Sequence, residues 1–416
     1  MNIRHERIQH AVGHGGFHTA TVQVGRATFR YVYDCGANKT QLLRDTINDH
    51  ADSIADADRR IDLVVLSHLD DDHVNGVDDL LGACRVDTVV LPYLTAVERV
   101  FVAARSSRRG RLSATGQDFL IAPGSWLRDH GVARVVFVRV GPEGDGGATG
   151  APDRPPDERR TLDDVRRVGI DWAAVAPPDI AADPTVLQSG DRFMDHTRSM
   201  PLVADGARAL NWVLRSHVHE CDARRRAALE RAARRALGFA ATADLETALT
   251  PDVLRDALRD PKTRDRLVAS YSRIWSDRNL TSLCLYSGPE RTPTDGEIRF
   301  LVRSHLWGPR AGIGWLGTGD AALAQAGRRN SLVHHLGTCA QNVGTLCLPH
   351  HGSRKNFDPA LLAEFGNAVV CVASVPRQSH HHPARSVIRA VREAGRTFIR
   401  VSDRAAETFI ERLELR

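Results

Sequence analysis

The chain has 416 residues, 42% hydrophobic and 26% charged, a balance that fits a globular protein with a large core and excludes a disordered or fibrous one. No run approaches the roughly 18 apolar residues of a membrane span, and Met1-Asn-Ile-Arg-His5 lacks the apolar stretch of a signal peptide, so we expect no membrane span and a cytoplasmic location. The formal charge of +5 permits an anionic partner without requiring one.

In chain order, strand-like runs are predicted at Thr19 to Val24, Thr28 to Tyr33, Ile61 to Leu66, Thr88 to Leu91 and Ala133 to Val140, with helical stretches between them. A helix is predicted to begin at Val74. Arg105 to Arg111 is an exposed-looking basic run, a target for proteolytic clipping or a partner. Gly141 to Arg160, rich in Gly, Pro, Asp and Glu, reads as a loop, and Arg224 to Ser270 as two or three charged helices. Strands follow at Ser282 to Tyr286, Ile298 to Val302, Gly314 to Leu316, Gly344 to Leu348, Ala368 to Ala373 and Thr397 to Val401. Helices are predicted at Ala321 to Leu336, Pro359 to Phe365 and Ala384 to Ala394. The organisation is therefore two halves, 1–145 and 276–416, around a loop-rich and helical insertion, 146–275. No Cys-x-x-Cys pair occurs among the seven cysteines, which read as small core residues in a reducing compartment.

One segment carries chemistry. The apolar run ending at Ser67 delivers His68, Asp70, Asp72 and His73 into a tight turn. Imidazole nitrogen and carboxylate oxygen suit a divalent hydrolytic metal, and helix capping explains an Asp but not two flanking histidines. Asp320 follows Gly317-Thr-Gly319 at a strand end, where it can bridge two metals or cap the next helix. His350 and His351 follow another strand, and the sequence leaves open which of them ligates. Gly13-His14-Gly15-Gly16 reads as a flexible turn, His380 and His381 as exposed loop residues, and His334-His335 as exposed. His217-Val-His219 has ligand-like spacing but reads as an ordinary surface or core pair.

His68-x-Asp70-x-Asp72-His73 resembles the signature of the metallo-β-lactamase superfamily, His-x-His-x-Asp-His, with Asp70 in place of a histidine. That departure resembles the soluble domain of the ComEC family of DNA-uptake channel proteins. Asn279-Leu-Thr-Ser282, Thr318-Gly-Asp320, His350-His351-Gly352-Ser353 and His382-Pro383 resemble further pieces of that pattern in the same order. Asp34-Cys-Gly36 resembles the family's Asp-x-Gly turn, which packs near the metal loop without ligating. The segment from about Gly141 to Ile274 matches nothing recognisable.

The resemblance implies an α/β (α+β) fold, the αββα metallo-β-lactamase sandwich, here with a largely helical insertion between its halves. It also implies two divalent metal ions, zinc or manganese, with the oxygen-rich Asp70 favouring manganese. His68 and Asp70 would hold one metal, Asp72 and His73 with His350 or His351 the other, and Asp320 would bridge. Asp72 would orient or deprotonate the attacking water, and His382 would contact substrate. The expected activity is a phosphodiesterase or nuclease acting on nucleic acid, supported by the arginines from Arg224 to Arg235. A small ester, thioester or lactone substrate, or a regulatory binding module with a degenerate site, are the alternatives. The insertion is also a place for a protein regulator.

Overall fold

The computed structural model describes residues 3–109, 114–140, 165–172, 175, 192–206, 208–219, 222–274, 281–294, 297–304 and 312–415. The whole of the loop expected at 141–160, with Arg111, Asn279 and His305, lies outside the described residues.

Strands of the first part of the chain are β1 (Ile3–Gln9), β2 (Gly15–Val24), β3 (Ala27–Ala37), β4 (Leu63–Val65), β5 (Thr88–Pro92) and β6 (Arg134–Arg139). The middle part adds β7 (Val168–Ile170), β8 (Arg192–Asp195), β9 (Ser199–Ala204) and β10 (Arg208–His217). The last part adds β11 (Cys284–Gly288), β12 (Ile298–Arg303), β13 (Gly314–Gly317), β14 (Val343–Cys347), β15 (Val370–Ser374), β16 (Thr397–Val401) and β17 (Phe409–Leu415). They form two sheets, ordered β12-β17-β1-β2-β3-β4-β5-β6-β8 and β16-β15-β14-β13-β11-β10-β9-β7. Pairing is parallel from β3 through β8 in the first sheet and from β13 through β16 in the second.

Side chains of a strand alternate between faces, so a strand buried on both faces reads as continuous apolar sequence. Val64 packs outward and Val65 inward, as do Leu316 and Trp315 in the other sheet. The inner faces meet through Tyr31, Tyr33, Val90, Trp212, Leu214 and Trp315. Outside the first sheet lie helices carrying Leu43, Ile47, Val100 and Phe101, and outside the second those carrying Leu332, Leu361 and Val391. The result is the αββα sandwich.

Two differences from the sequence reading have physical causes. Residues 192–217 are not part of a helical insertion: β8 extends the first sheet beside β6, and β9 and β10 extend the second beside β11. The helices Ala223–Leu237, Leu245–Ala248, Pro251–Arg259 and Pro261–Ile274 follow, and Leu229, Leu254, Leu267 and Tyr271 pack them into the core outside the first sheet. The terminal strands β1 and β17 pair with each other, and β12 joins β17, so the last part of the chain completes the first sheet. Their alternation is masked by buried charge. Glu411 accepts hydrogen bonds from Arg303 Nε at 2.8 Å and Thr345 Oγ1 at 2.6 Å and faces Arg7 at 3.2 Å. Burial alone would raise its carboxyl pKa, but Arg7 and Arg303 outweigh burial and hold it below the ordinary value.

A histidine cluster lies at the end of β10. The ring of His217 stands 4.7 Å from that of His196, 4.6 Å from His219 and 5.1 Å from His335. His335 is thus not the exposed residue the sequence suggested. Burial, with His196 and Arg215 nearby, lowers His335 to about 3, and burial, with Arg328 and His196, lowers His219 to about 3. An unfolded chain protonates such histidines as pH falls through about 6.5, whereas the native chain resists until far lower pH. Unfolding therefore takes up protons, and native stability declines as pH falls below that value. The urea midpoint of metal-free protein should drop between about pH 7.5 and 5, with His335→Gln flattening the dependence. A midpoint that does not move over this range would contradict the assignment.

Candidate metal centre

The loops that carry polar chemistry leave the same rim of the sandwich. His68 to His73 follow β4, Thr318 to Asp320 follow β13, and His350 and His351 follow β14, while His14 immediately precedes β2. Parallel strands direct the loops after their carboxyl ends to one side. The two sheets are tied together here. Leu283 N donates to Ser67 O at 2.6 Å, Tyr33 Oη donates to Leu283 O at 2.7 Å, and Asp320 N donates to Ser282 Oγ at 2.9 Å.

Asp320 is the focus. Its Oδ2 lies 3.6 Å from His68 Nε2 and 3.5 Å from His350 Nε2, and its Oδ1 lies 3.5 Å from His73 Nε2 and 3.8 Å from His351 Nε2. Asp72 Oδ2 stands 3.7 Å from His351 Nε2 and 3.5 Å from His14 Nε2. These separations exceed ordinary hydrogen bonds. They approach the roughly 3.3 Å expected between two ligand atoms that share a tetrahedral ion at about 2.0 Å. Among the described residues, two groups of three ligand atoms converge within 4.8 Å: His68, His73 and Asp320, and His14, Asp72 and His351.

The residues fit cations. The Nε2 atoms of His68, His73 and His351 are buried with no hydrogen-bond partner, an expensive condition unless an ion satisfies them. Their other nitrogens are engaged where the pattern requires it. Asp34 Oδ2 sits 2.8 Å from His73 Nδ1 and accepts the Ser67 hydroxyl at 2.8 Å, and Ser67 Oγ lies 2.9 Å from His68 Nδ1. A carboxylate behind an imidazole orients the ring and strengthens its outward nitrogen as a ligand. Burial opposes protonation of His73, but Asp34 and Asp320 raise its pKa well above the ordinary value. Burial and His73 lower His68 to about 3. Burial would raise Asp72 and Asp320, yet the surrounding imidazoles hold both well below the carboxylate range, so both are ionised.

Backbone geometry is part of the construction. A Cβ on Gly36 would come within 2.5 Å of the backbone of His73, so only glycine lets β3 pass so close to the helix Asp71–Val74. Gly319 has φ 48°, and a Cβ there would meet Ser282 Oγ at 2.5 Å. His350 and His351 both adopt positive φ, 49° and 56°, an uncommon conformation for residues with a Cβ.

Of the residues singled out in the sequence, His68, Asp72, His73, Asp320, His350 and His351 come together. Asp70 is in neither convergent group: its carboxylate pairs with Arg105, whose guanidinium also lies over the Tyr271 ring at 5.4 Å. Arg105 itself is buried and not exposed as the sequence suggested; the side chains of Arg108, Arg109 and Arg111 lie outside the described set. His382 is half-buried at the edge of the centre, its ring 5.3 Å from that of His350 and 6.0 Å from that of His14. His380 and His381 are exposed. Asp320 caps no helix, because the next one begins only at Ala326. Neither His217 nor His219 joins a convergent group. His14 is the residue that sequence reasoning missed. Its signal was a histidine between glycines just before a strand, a pattern that flexible turns share.

If Asp34 sets the strength of His73 as a ligand, Asp34→Asn should weaken divalent-metal affinity by about 10- to 100-fold, measured by competition with a fluorescent chelator. Unchanged affinity would show that the Asp34–His73 contact is merely structural.

Comparison with known proteins adds the following. No curated protein matches this chain. Among solved structures, the crystal structure of a long form RNase Z from yeast aligns with 90% of this chain at 10% identity and a TM-score of 0.32. The chain spans about a third of that protein, 36% of its length. Residues 15–172 match the family model of the Metallo-beta-lactamase superfamily, a segment that contains His68, Asp70, Asp72 and His73, and the two facing sheets with helices outside have that superfamily's sandwich fold.

Proposed function

We propose that the protein is a metal-dependent hydrolase acting on phosphodiesters, with nucleic acid as its substrate and two divalent ions, zinc or manganese, at the Asp320 centre. The observation that carries this reading is the ring of four imidazole Nε2 atoms at 3.5 to 3.8 Å from the Asp320 carboxylate. His68 and His73 with Asp320 would hold one ion. His14, Asp72 and His351 would hold the other, with Asp320 reaching toward both through its two oxygens. Asp70 would serve as the counter-ion of Arg105, leaving its expected ligand role to other residues.

Bound ions of this kind activate water at neutral pH and stabilise charge that develops on the reacting phosphoryl group. Asp72, held ionised by the imidazoles around it, would orient the attacking water or carry its proton. His382 contacts substrate at the rim. Burial, with His350 and His351 beside it, lowers His382 to about 4, so it meets substrate as a neutral hydrogen-bonding group near pH 7. Substrate charge has a counterpart on the helix Ala223–Leu237. Arg224, Arg231 and Arg235 are exposed at helical spacings that share one face, and none has an ion pair among the described residues.

The reading is tested by a metal-reconstituted assay on single-stranded DNA, duplex DNA, RNA and a chromogenic phosphodiester, run beside Asp72→Ala. Metal-dependent cleavage of at least one polymer is expected. It should fall steeply with salt, and the salt slope should flatten in Arg224→Ala/Arg231→Ala/Arg235→Ala protein. Asp72→Ala should reduce turnover by roughly 100-fold or more without altering the fold. Turnover confined to carboxylic esters or lactones would replace this reading, and full metal-dependent activity in Asp72→Ala would remove the role given to that carboxylate.

A further inference from the structure

The rim that carries the metal centre continues into a second cavity of about 250 Å³, bounded by residues at the ends of β5, β6 and β10 and at the entry to β11. In the first sheet β5 and β6 come next after β4, and in the second β11 and β10 come next after β13, so the cavity adjoins the centre along both sheets. One wall is shared. Thr281 lines the cavity, and the next residue, Ser282, accepts the Asp320 N–H at 2.9 Å.

Its chemistry is that of an anion site. Arg139 lines it from the end of β6, with its guanidinium carbon over the Phe193 ring at 5.2 Å from the ring centre. Arg226 enters from the helix Ala223–Leu237. His219, 7% exposed, has a buried Nε2 with no hydrogen-bond partner. Among the described residues of the lining Glu98 is the acidic one, and its Oε2 accepts the Thr95 N–H at 2.9 Å and the Thr95 hydroxyl at 3.1 Å. Two guanidinia and an imidazole N–H around one pocket match the oxygens of a tetrahedral anion, which Arg binds in a two-pronged manner.

We propose that this cavity is a phosphate subsite, in which Arg139, Arg226 and His219 hold a phosphate of the substrate strand beside the one being hydrolysed. The proposal rests on the phosphodiester reading for the identity of that strand, and on the cavity itself for the binding of phosphate. Such a subsite favours a polynucleotide over a small diester, because only a polymer presents a second phosphate while the first occupies the metal centre. It also gives the helix Ala223–Leu237 a role. Arg226 would grip one phosphate within the rim, and the exposed arginines of the same helix would carry the strand beyond it.

The test is a calorimetric titration of metal-free protein with inorganic pyrophosphate, so that no ion at the metal centre competes for the probe. Wild type should bind, Arg139→Ala and Arg226→Ala should each weaken binding by about tenfold or more, and Asp72→Ala should bind as wild type does. Arg226→Lys, which keeps the charge but loses the two-pronged geometry, should fall between and guards against a folding defect. A DNA trinucleotide should compete with pyrophosphate. No binding by wild type, equal binding by the arginine variants, or loss in Asp72→Ala as large as theirs would overturn the subsite. Lack of competition by the trinucleotide would overturn its assignment to a substrate strand. If the metal-loaded protein hydrolyses no phosphodiester, the functional reading fails while these titrations still decide whether the cavity binds phosphate.

Discussion

The structure depends on keeping one buried carboxylate, Asp320, surrounded by imidazoles, of which His68, His73 and His351 turn toward it an Nε2 that makes no hydrogen bond. Removing such groups from water is costly by several kcal/mol for each ion, and Asp320 itself is only 4% exposed. Within the protein the histidines offset part of that cost, holding the carboxylate ionised. The buried Nε2 atoms of His68, His73 and His351 still lack partners. Divalent cations would remove both deficits together, which is the physical reason to read the cluster as a metal centre and not as a structural network.

That constraint explains how the two sheets meet. The side chains that follow β4, β13 and β14 converge only if the sheets keep a fixed offset. The Leu283–Ser67, Tyr33–Leu283 and Asp320–Ser282 hydrogen bonds fix that offset within a few residues of the ligands. The Asp34–Ser67–His68 and Asp34–His73 contacts then orient the rings. Gly36 allows the close backbone approach on which the position of His73 depends. On the same rim, the neighbouring cavity brings Arg139 and Arg226 to this end of the sandwich and gives it positive charge.

Much of this was legible in the sequence where a local pattern dictates the structure. The apolar run before His68, the Gly-Thr-Gly turn before Asp320 and the strand before His350 each put a polar residue at a strand end, and that is where they lie. What was not legible depends on partners distant in sequence. Arg7 and Glu411 break the apolar alternation of β1 and β17, because their burial makes sense only once Arg303 and Thr345 are beside them. Asp70 reads as a ligand until Arg105, on a separate helix, pairs with it. His14 reads as part of a turn until β2 brings it beside Asp72 and His351.

The most direct measurement of the central claim is an anomalous difference map from crystals of the manganese-loaded protein. The account predicts two peaks roughly 3.5 to 4 Å apart flanking the Asp320 carboxylate, one beside His68 and His73 and the other beside His14, Asp72 and His351. A map with no peak at Asp320, or with metal held by Asp70 after Arg105 has been displaced, would contradict it.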